Sequence, residues 1–378
     1  MTAIVTDVKY RMTLSIIRDL ANCGVDNIVA LHKGASKPVG FYSKHVKHKE
    51  ILKSETARDL ALELVNICKK YAKDELPVLL CTGRETIEAV SEYKELFEGI
   101  CHLLISDKRT IDSANDKSTV LKIAKSIGVP VPAEYDINNA DEIKYPCIIK
   151  YRCGEKFGIK SHDRYKIVYN KNELIETYNN YKKLDDNPII QEYISGDGYG
   201  VSVIMNENSE PVDFICHKRL RECPESGGPS SCAVSFYDER MVNETIKLLK
   251  AINFKGIAMV EFKGSPESFC LMEINPRVWG SYPLTRIAKS SFTMSWFNAS
   301  RKKTQALNSL KPNYRLGVKM QFLPTEAKLL AEVLRKKKAS KAFEIIGDIL
   351  NIKVHDGILE LSDFKGSINY ILSLFGRE

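Results

Sequence analysis

Glu261 and Glu273 carry the most direct chemical reading. They lie in the stretch FKGIAMVEFKGSPESFCLMEINPRVWGS, Phe254 to Ser281. It reads as two short strands, Gly256–Lys263 and Phe269–Asn275, joined by a turn with Gly264, Ser265 and Pro266. Alternation places Ile257, Met259 and Glu261 on one face of the first strand, and Glu273 and Asn275 together on one face of the second. A turn centred near Glu267 makes the two acids direct cross-strand neighbours. Paired carboxylates in apolar strands repel each other and lose hydration, and a bound cation removes both penalties. Two carboxylates and the Asn275 amide oxygen, with room left for phosphate oxygens and water, suit Mg²⁺, with Mn²⁺ as an alternative ion. Arg277 follows at once and has the planar fork that grips phosphate. The plainer alternative is a surface hairpin with its acids in water; the apolar flanks and the run Glu-Ile-Asn-Pro-Arg speak against it.

Three other clusters carry groups suited to anions. In YPCIIKYRCGEKFGIK an apolar strand, Cys147–Ile149, ends on Lys150, followed by a loop with Gly154 and Gly158. A strand-end ammonium beside open backbone N–H groups can surround phosphates; a hairpin turn with solvated lysines fits the segment equally. In NPIIQEYISG an apolar strand ends in Gln191-Glu192-Tyr193-Ile194, which taken alone is as well a plain buried strand. His217-Lys218-Arg219-Leu220-Arg221 runs into the glycine turn at Gly227-Gly228. Lys218, Arg219 and Arg221 there could hold triphosphate oxygens or a substrate carboxylate; a basic strand followed by an open loop is the alternative.

MEINPRVWGS, with Glu261 twelve residues before Glu273, resembles the metal-binding end of the ATP-grasp ligases. The resemblance extends over roughly residues 1 to 300. DKSTVLKIAKSIGVPVP is similar to the entry into the small nucleotide-binding subdomain, KRLRE…GGPS to a branch of ATP-dependent carboxylate–amine ligases. The resemblance implies that Glu261, Glu273 and Asn275 hold Mg²⁺ on ATP, and that Arg277 faces the transferred phosphoryl group. Lys117 and Lys150, with the loop at Gly154 and Gly158, would meet phosphates. Gln191, Glu192, Tyr193 and Ile194 would line the adenine slot, Asp197 the ribose. It implies an acyl phosphate displaced by an amine, with ADP and phosphate released. Bicarbonate activation of the carboxylase kind, or a non-catalytic ATP-binding regulatory module, are the alternatives.

At 378 residues the chain exceeds one ordinary core, so several domains are expected. Ten cysteines stand singly, with no C-x-x-C pair, in apolar surroundings such as PVLLCTG; this predicts buried thiols and a cytoplasmic setting. The net charge of +8 is spread along the chain, which argues against nucleic acid; the one dense run, Arg335-Lys336-Lys337-Lys338, reads as a solvated helix end. No run of about eighteen apolar residues occurs, so no membrane span is expected, and MTAIVTDVKYRM is not built as a secretory signal.

The elements that must position these groups follow from periodicity. Residues 1–110 alternate strand and helix: strand at AIVTDV, helix Met12–Asn22, strand Asn27–Leu31, helix Ala57–Tyr71, strand Leu76–Cys81, helix Glu85–Phe97 and strand His102–Ile105. They predict a small doubly wound α/β domain, with Arg11 past the first strand as a substrate contact. Residues 111–195 and 196–310 are expected to be the small and large ATP-grasp subdomains, α+β in the catalytic core, and 311–378 a C-terminal extension packed on it. A helix is predicted from Ser113 to Ile127, others over Met241–Ile252, Pro283–Ser300 and Glu326–Lys338, and a strand over Val318–Phe322. Small-molecule acid and amine substrates, an amino acid or peptide among them, are the expected partners, and a homodimer is allowed.

Overall fold

The computed structural model describes residues 1–34, 37–152, 154, 158–159, 163–225 and 228–375. Most of the loop between Lys150 and Arg164, and Gly227 of the basic segment's turn, lie outside them. The chain begins with β1 (Thr2–Val5), α1 (Met12–Asn22), β2 (Asn27–Lys33), β3 (His48–Leu52), α2 (Ala57–Tyr71), β4 (Val78–Leu80) and α3 (Arg84–Glu92). The four strands pair in parallel in the order β3-β2-β1-β4. Apolar runs such as Ile4–Val5 and Ile28–Leu31 are buried, as a sheet covered on both faces requires. α2 opens with a capping box, Thr56 and Asp59, and closes on Lys69 and Lys70, which suit its dipole. β3 escapes a reading by pattern because three of its residues face solvent. The strand expected at His102–Ile105 reduces to one bridge between Val78 and His102.

The single helix expected from Ser113 is two: α4 (Lys108–Asn115) and α5 (Lys117–Ser126). Asp116 separates them, in extended conformation, and its side chain accepts from Thr119 N–H to start α5. β5 (Glu134–Tyr135), β6 (Cys147–Lys150), β7 (Tyr165–Val168), α6 (Lys171–Tyr181) and β8 (Ile189–Glu192) follow, the strands in the antiparallel order β5-β8-β6-β7. Cys147, Ile149 and Ile190 face α6 and its Leu174 and Tyr181. Register leaves Ile148, Lys150 and Gln191 on the other face.

The largest sheet holds seven strands in the order β13-β12-β9-β10-β11-β14-β15. They are β9 (Asp197–Met205), β10 (Pro211–Glu222), β11 (Ser230–Phe236), β12 (Gly256–Gly264), β13 (Phe269–Asn275), β14 (Lys319–Gln321) and β15 (His355–Asp356). α7 (Glu239–Ala251), started by Asp238, packs on β9. The helix expected over Pro283–Ser300 is broken into α8 (Pro283–Ile287) and α9 (Phe292–Ser300), with Lys289 at φ 60° between them. Beyond them come α10 (Leu323–Arg335), α11 (Ala339–Leu350) and α12 (Phe364–Phe375). The C-terminal segment thus enters the large sheet through β14 and β15.

That segment also grips the N-terminal domain. Arg18, 2% exposed, donates to Asp363, Ser367 and the Ile358 carbonyl. Arg11 does not turn toward a substrate site: its guanidinium stacks 3.5 Å from the Phe322 ring centre and donates to Thr325 and Tyr370.

Candidate active site

In the β12–β13 ladder Glu261 stands directly opposite Glu273, with a bulge immediately after the pair. The Asn275 amide donates to Oε1 of both acids, 3.1 Å each. Their side chains are 16% and 28% exposed, so each charge needs a partner. Arg219 Nη2 reaches Glu261 Oε1 at 2.5 Å, and Lys117 Nζ reaches Glu273 Oε2 at 2.8 Å. Arg219 also spans to Glu222 at 3.2 Å. Burial pushes the Glu261 carboxyl up against the pull of Arg219; Glu273 resists the same burial because Lys117 holds it down, to about 2.

The sheet extends this row. Glu261 pairs with Gly200, and Gly200 with His217. A Cβ on Gly200 would lie 2.2 Å from His217 Cε1, so only glycine lets the imidazole lie across the strand. His217 meets Ser281 Oγ at 3.1 Å, and burial, with Arg219 close by, lowers its pKa to about 3. A neutral imidazole thus underlies the acid pair.

Lys150 is 8% exposed at the end of β6; burial and the charge of Lys117 lower its ammonium to about 8. On the same face Gln191 is 1% exposed, and neither of its amide atoms has a partner among the described residues. A buried primary amide left unpaired is costly, and a flat ligand edge with one donor and one acceptor would satisfy it. Glu192 Oε2 accepts from Ala133 N–H at 3.3 Å, and Tyr193 and Ile194 lead half-buried toward β9. At Gly196, φ 113°, a Cβ would sit 2.4 Å from the Gly264 carbonyl oxygen, so the linker presses on the β12–β13 turn.

The three cations of the basic segment do not act together. Arg219 faces the acids. Lys218, one residue earlier, points to the other face, where its Nζ lies 2.5 Å from Asp197. Asp197 is therefore occupied and turned from the acid row. A bulge at Leu220 swings Arg221 to the Lys218 side as well. Arg221 is 3% exposed and bound by Glu326, Glu344 and Asp348, each at 2.7 Å. It ties β10 to α10 and α11, which corrects its expected place beside a phosphate.

Arg277 borders a cavity of about 1020 Å³ between the ends of β1 and β4 and the helices α4 and α5. Arg84, Glu88, Lys108 and Asp112 supply charges of both signs to its wall. Sequence patterns missed this wall, because Arg84–Glu88 and Lys108–Asp112 read as ordinary i,i+4 pairs. Gly154 and Gly158 are described, the latter at φ 67°; the loop residues between and after them that bear on phosphate contact are not.

Among the described residues no three His, Cys, Asp or Glu side chains form a metal cage. The donor set is two carboxylates and an amide, already drawing cations to themselves. It fits a hard divalent ion that keeps water and phosphate oxygens.

The profile of the ATP-grasp domain matches residues 114–281. That stretch is an ATP-grasp domain. It spans α5, the small antiparallel sheet, the β12–β13 acids and Arg277, and it stops at Ser281 beneath His217. The carbamoyl phosphate synthase large chain of Haemophilus ducreyi is 26% identical over 199 residues, 46% of this chain and 17% of that protein. A pyruvate carboxylase subunit from Methanothermobacter thermautotrophicus is 26% identical over 201 residues, 47% of this chain and 39% of that protein. The matched part is thus well under half of either curated relative. Among solved structures, biotin carboxylase from Campylobacter jejuni aligns over 84% of this chain and 74% of its own, TM-score 0.64 at 17% identity. N5-carboxyaminoimidazole synthetase from Staphylococcus aureus, complexed with ADP, aligns over 83% and 79%, TM-score 0.61 at 16% identity. The likeness in fold thus covers more of the chain than the matched domain does.

Proposed function

We propose that the chain is an ATP-dependent carboxylate–amine ligase that works through an acyl phosphate. The observation that carries this reading is the Glu261–Glu273–Asn275 row, with Lys117, Arg219 and Lys150 gathered on it and a two-signed cavity beyond Arg277. Glu261, Glu273 and Asn275 hold magnesium, which when bound neutralises charge on the phosphates. Lys117 and Lys150 meet phosphate oxygens, and Gln191 with the backbone of residues 192–194 takes the adenine edge. Arg277 and Arg219 stabilise the charge that builds during transfer.

A carboxylate oxygen of the acid substrate attacks the γ-phosphorus, and the bond from that phosphorus to the β,γ-bridging oxygen breaks, releasing ADP. The amine nitrogen then attacks the acyl carbon. The carbon–oxygen bond to phosphate breaks, phosphate leaves with the electron pair, and the amine's proton passes to it or to water. No nucleophilic side chain is required; the protein positions the partners and excludes water. The cavity has the size of a small-molecule site and far exceeds bicarbonate. Its paired charges suit a zwitterion, such as an amino acid or short peptide.

Hydroxylamine tests the intermediate. With ATP, Mg²⁺ and the correct acid it should yield a hydroxamate, and the Glu273→Gln chain should yield none. An acid that drives ADP release in the presence of hydroxylamine and leaves no hydroxamate would remove the acyl phosphate. A second reading, bicarbonate activation, is favoured by the carboxylases among the matched relatives; ADP release driven by bicarbonate alone would select it.

A further inference from the structure

The α10–α11 hairpin exposes apolar surface that no other part of the described chain covers. Residues 334 to 340 are all exposed. On α11, Phe343, Ile346 and Leu350 recur at helical spacing on the solvent side, Phe343 72% and Leu350 75% exposed; Ile352 beyond them is 94% exposed. Gly347 lies within this stripe, and a Cβ placed there would meet nothing within 4 Å. The inward face of the same helix is satisfied, with Ala342 and Ile345 packed on Leu329 and Val333 of α10. The outward stripe is thus surplus to the fold, and apolar surface left in that way marks an interaction site.

Its charge is one-sided. The turn between the helices carries Arg335, Lys336, Lys337 and Lys338, with Lys341 one turn on and Lys353 past the far end. Lys336, Lys338 and Lys341 crowd on a single carboxylate, Glu225, at 3.6, 2.8 and 2.8 Å, and Lys336 also takes Glu332. The exposed acid on the stripe, Glu344, is engaged by Arg221. Cations are left in excess around an apolar strip.

We infer that this hairpin docks on an anionic lipid bilayer, with the α11 stripe in the interface and the basic turn on the headgroups. Charge complementarity selects that occupant: an apolar face rimmed by lysine and arginine is what an acidic headgroup layer over acyl chains accepts. A second copy of the chain fits less well, because it would bring two like-charged turns together over the same strip. α11 is about 18 Å long at 1.5 Å per residue, so it lies along the surface, and no helix among the described residues is long and apolar enough to cross a membrane. The hairpin packs on the Arg221 face of the large sheet, opposite Arg219 and the acids, so docking leaves the cavity open.

The test is flotation of the full chain with phosphatidylcholine vesicles and with vesicles in which roughly one lipid in three is phosphatidylglycerol. The wild type should partition to the anionic vesicles at least about tenfold better than to the neutral ones, and lose that preference in high salt. Arg335→Gln with Lys337→Gln, and separately Phe343→Ser with Leu350→Ser, should each weaken partition by roughly tenfold or more with the thermal melt unchanged. Equal partition to both vesicles, or partition untouched by both double variants, overturns the proposal. So does a wild type that ignores vesicles while its mass in light scattering doubles through Phe343, since the strip would then join two copies.

Discussion

Lys117 Nζ stands 2.8 Å from Glu273 Oε2, which places the first residue of α5 against the last strand of the hairpin. A helix start and a strand 156 positions later thus meet in one charge cluster, completed by Arg219 on Glu261. The protein's own cations thus hold both acids. On the proposed reading, metal and nucleotide binding exchange those partners.

Its contact with Glu261 makes Arg219 a stabilising residue. Arg219→Met leaves the buried Glu261 carboxylate without its cation beside Glu273 and should cost about 3 kcal/mol in urea unfolding without metal. Millimolar Mg²⁺ should restore part of that loss in the variant and add less to the wild type. A variant as stable as the wild type without Mg²⁺ would contradict the pairing.

On the proposed reading, Lys150→Met removes a buried cation from the phosphates and should weaken ATP binding on the order of a hundredfold. Thermal stability should hold or rise, because burying a lone ammonium is costly and the methionine packs. Calorimetric titration with ATP and a melting curve separate the two effects.

Arg221 gives the opposite pattern. Breaking its buried links to Glu326 and Asp348 by Arg221→Met should destabilise by about 3–5 kcal/mol. ATP affinity, measured at a temperature where the variant is folded, should stay within about twofold. A large loss of affinity without loss of stability would return Arg221 to the site.

Gly200→Ala should cost about 3 kcal/mol, because the added methyl collides with His217 and must displace the ring or the strand. In a Gly200→Ala, His217→Ala double variant much of that penalty should disappear, giving a coupling energy of at least about 1 kcal/mol.

His217 also sets a pH dependence. Its folded-state pKa is lowered to about 3, while the unfolded chain takes the proton near the usual 6.5. The unfolded state therefore binds more protons between those values. The contribution is fully present above about pH 6.5 and is lost as pH falls toward 3, by up to about 1.4 kcal/mol per pH unit. Urea unfolding between pH 7 and 5 should show this slope reduced in His217→Gln.

The two acids were legible from strand alternation, but their pairing rests on a bulge: the turn between Gly264 and Phe269 sets a register that would face Glu261 with Met272, and the bulge after Glu261 brings Glu273 opposite instead. α1 and α2 were legible from apolar spacing. The basic segment was not, because the bulge at Leu220 separates Arg219 from Arg221, and a bulge leaves no mark in residue type. The break between α4 and α5 depends on one extended residue, Asp116, whose capping role became visible only with its partner Thr119. The four charges of the cavity wall come from two helices, α3 and α4, and β15 is too short for a periodic signal, whereas β14 lies within the strand expected at Val318–Phe322.

The most direct test is ADP release with Mg²⁺ and ATP against pooled amino acids and small carboxylic acids, wild type beside Glu273→Gln. Release stimulated by one pool in the wild type, and abolished in a variant with an unchanged circular dichroism spectrum, is the predicted result. Stimulated release that continues at the wild-type rate in Glu273→Gln would contradict the placing of the metal and the phosphoryl transfer at the β12–β13 acids.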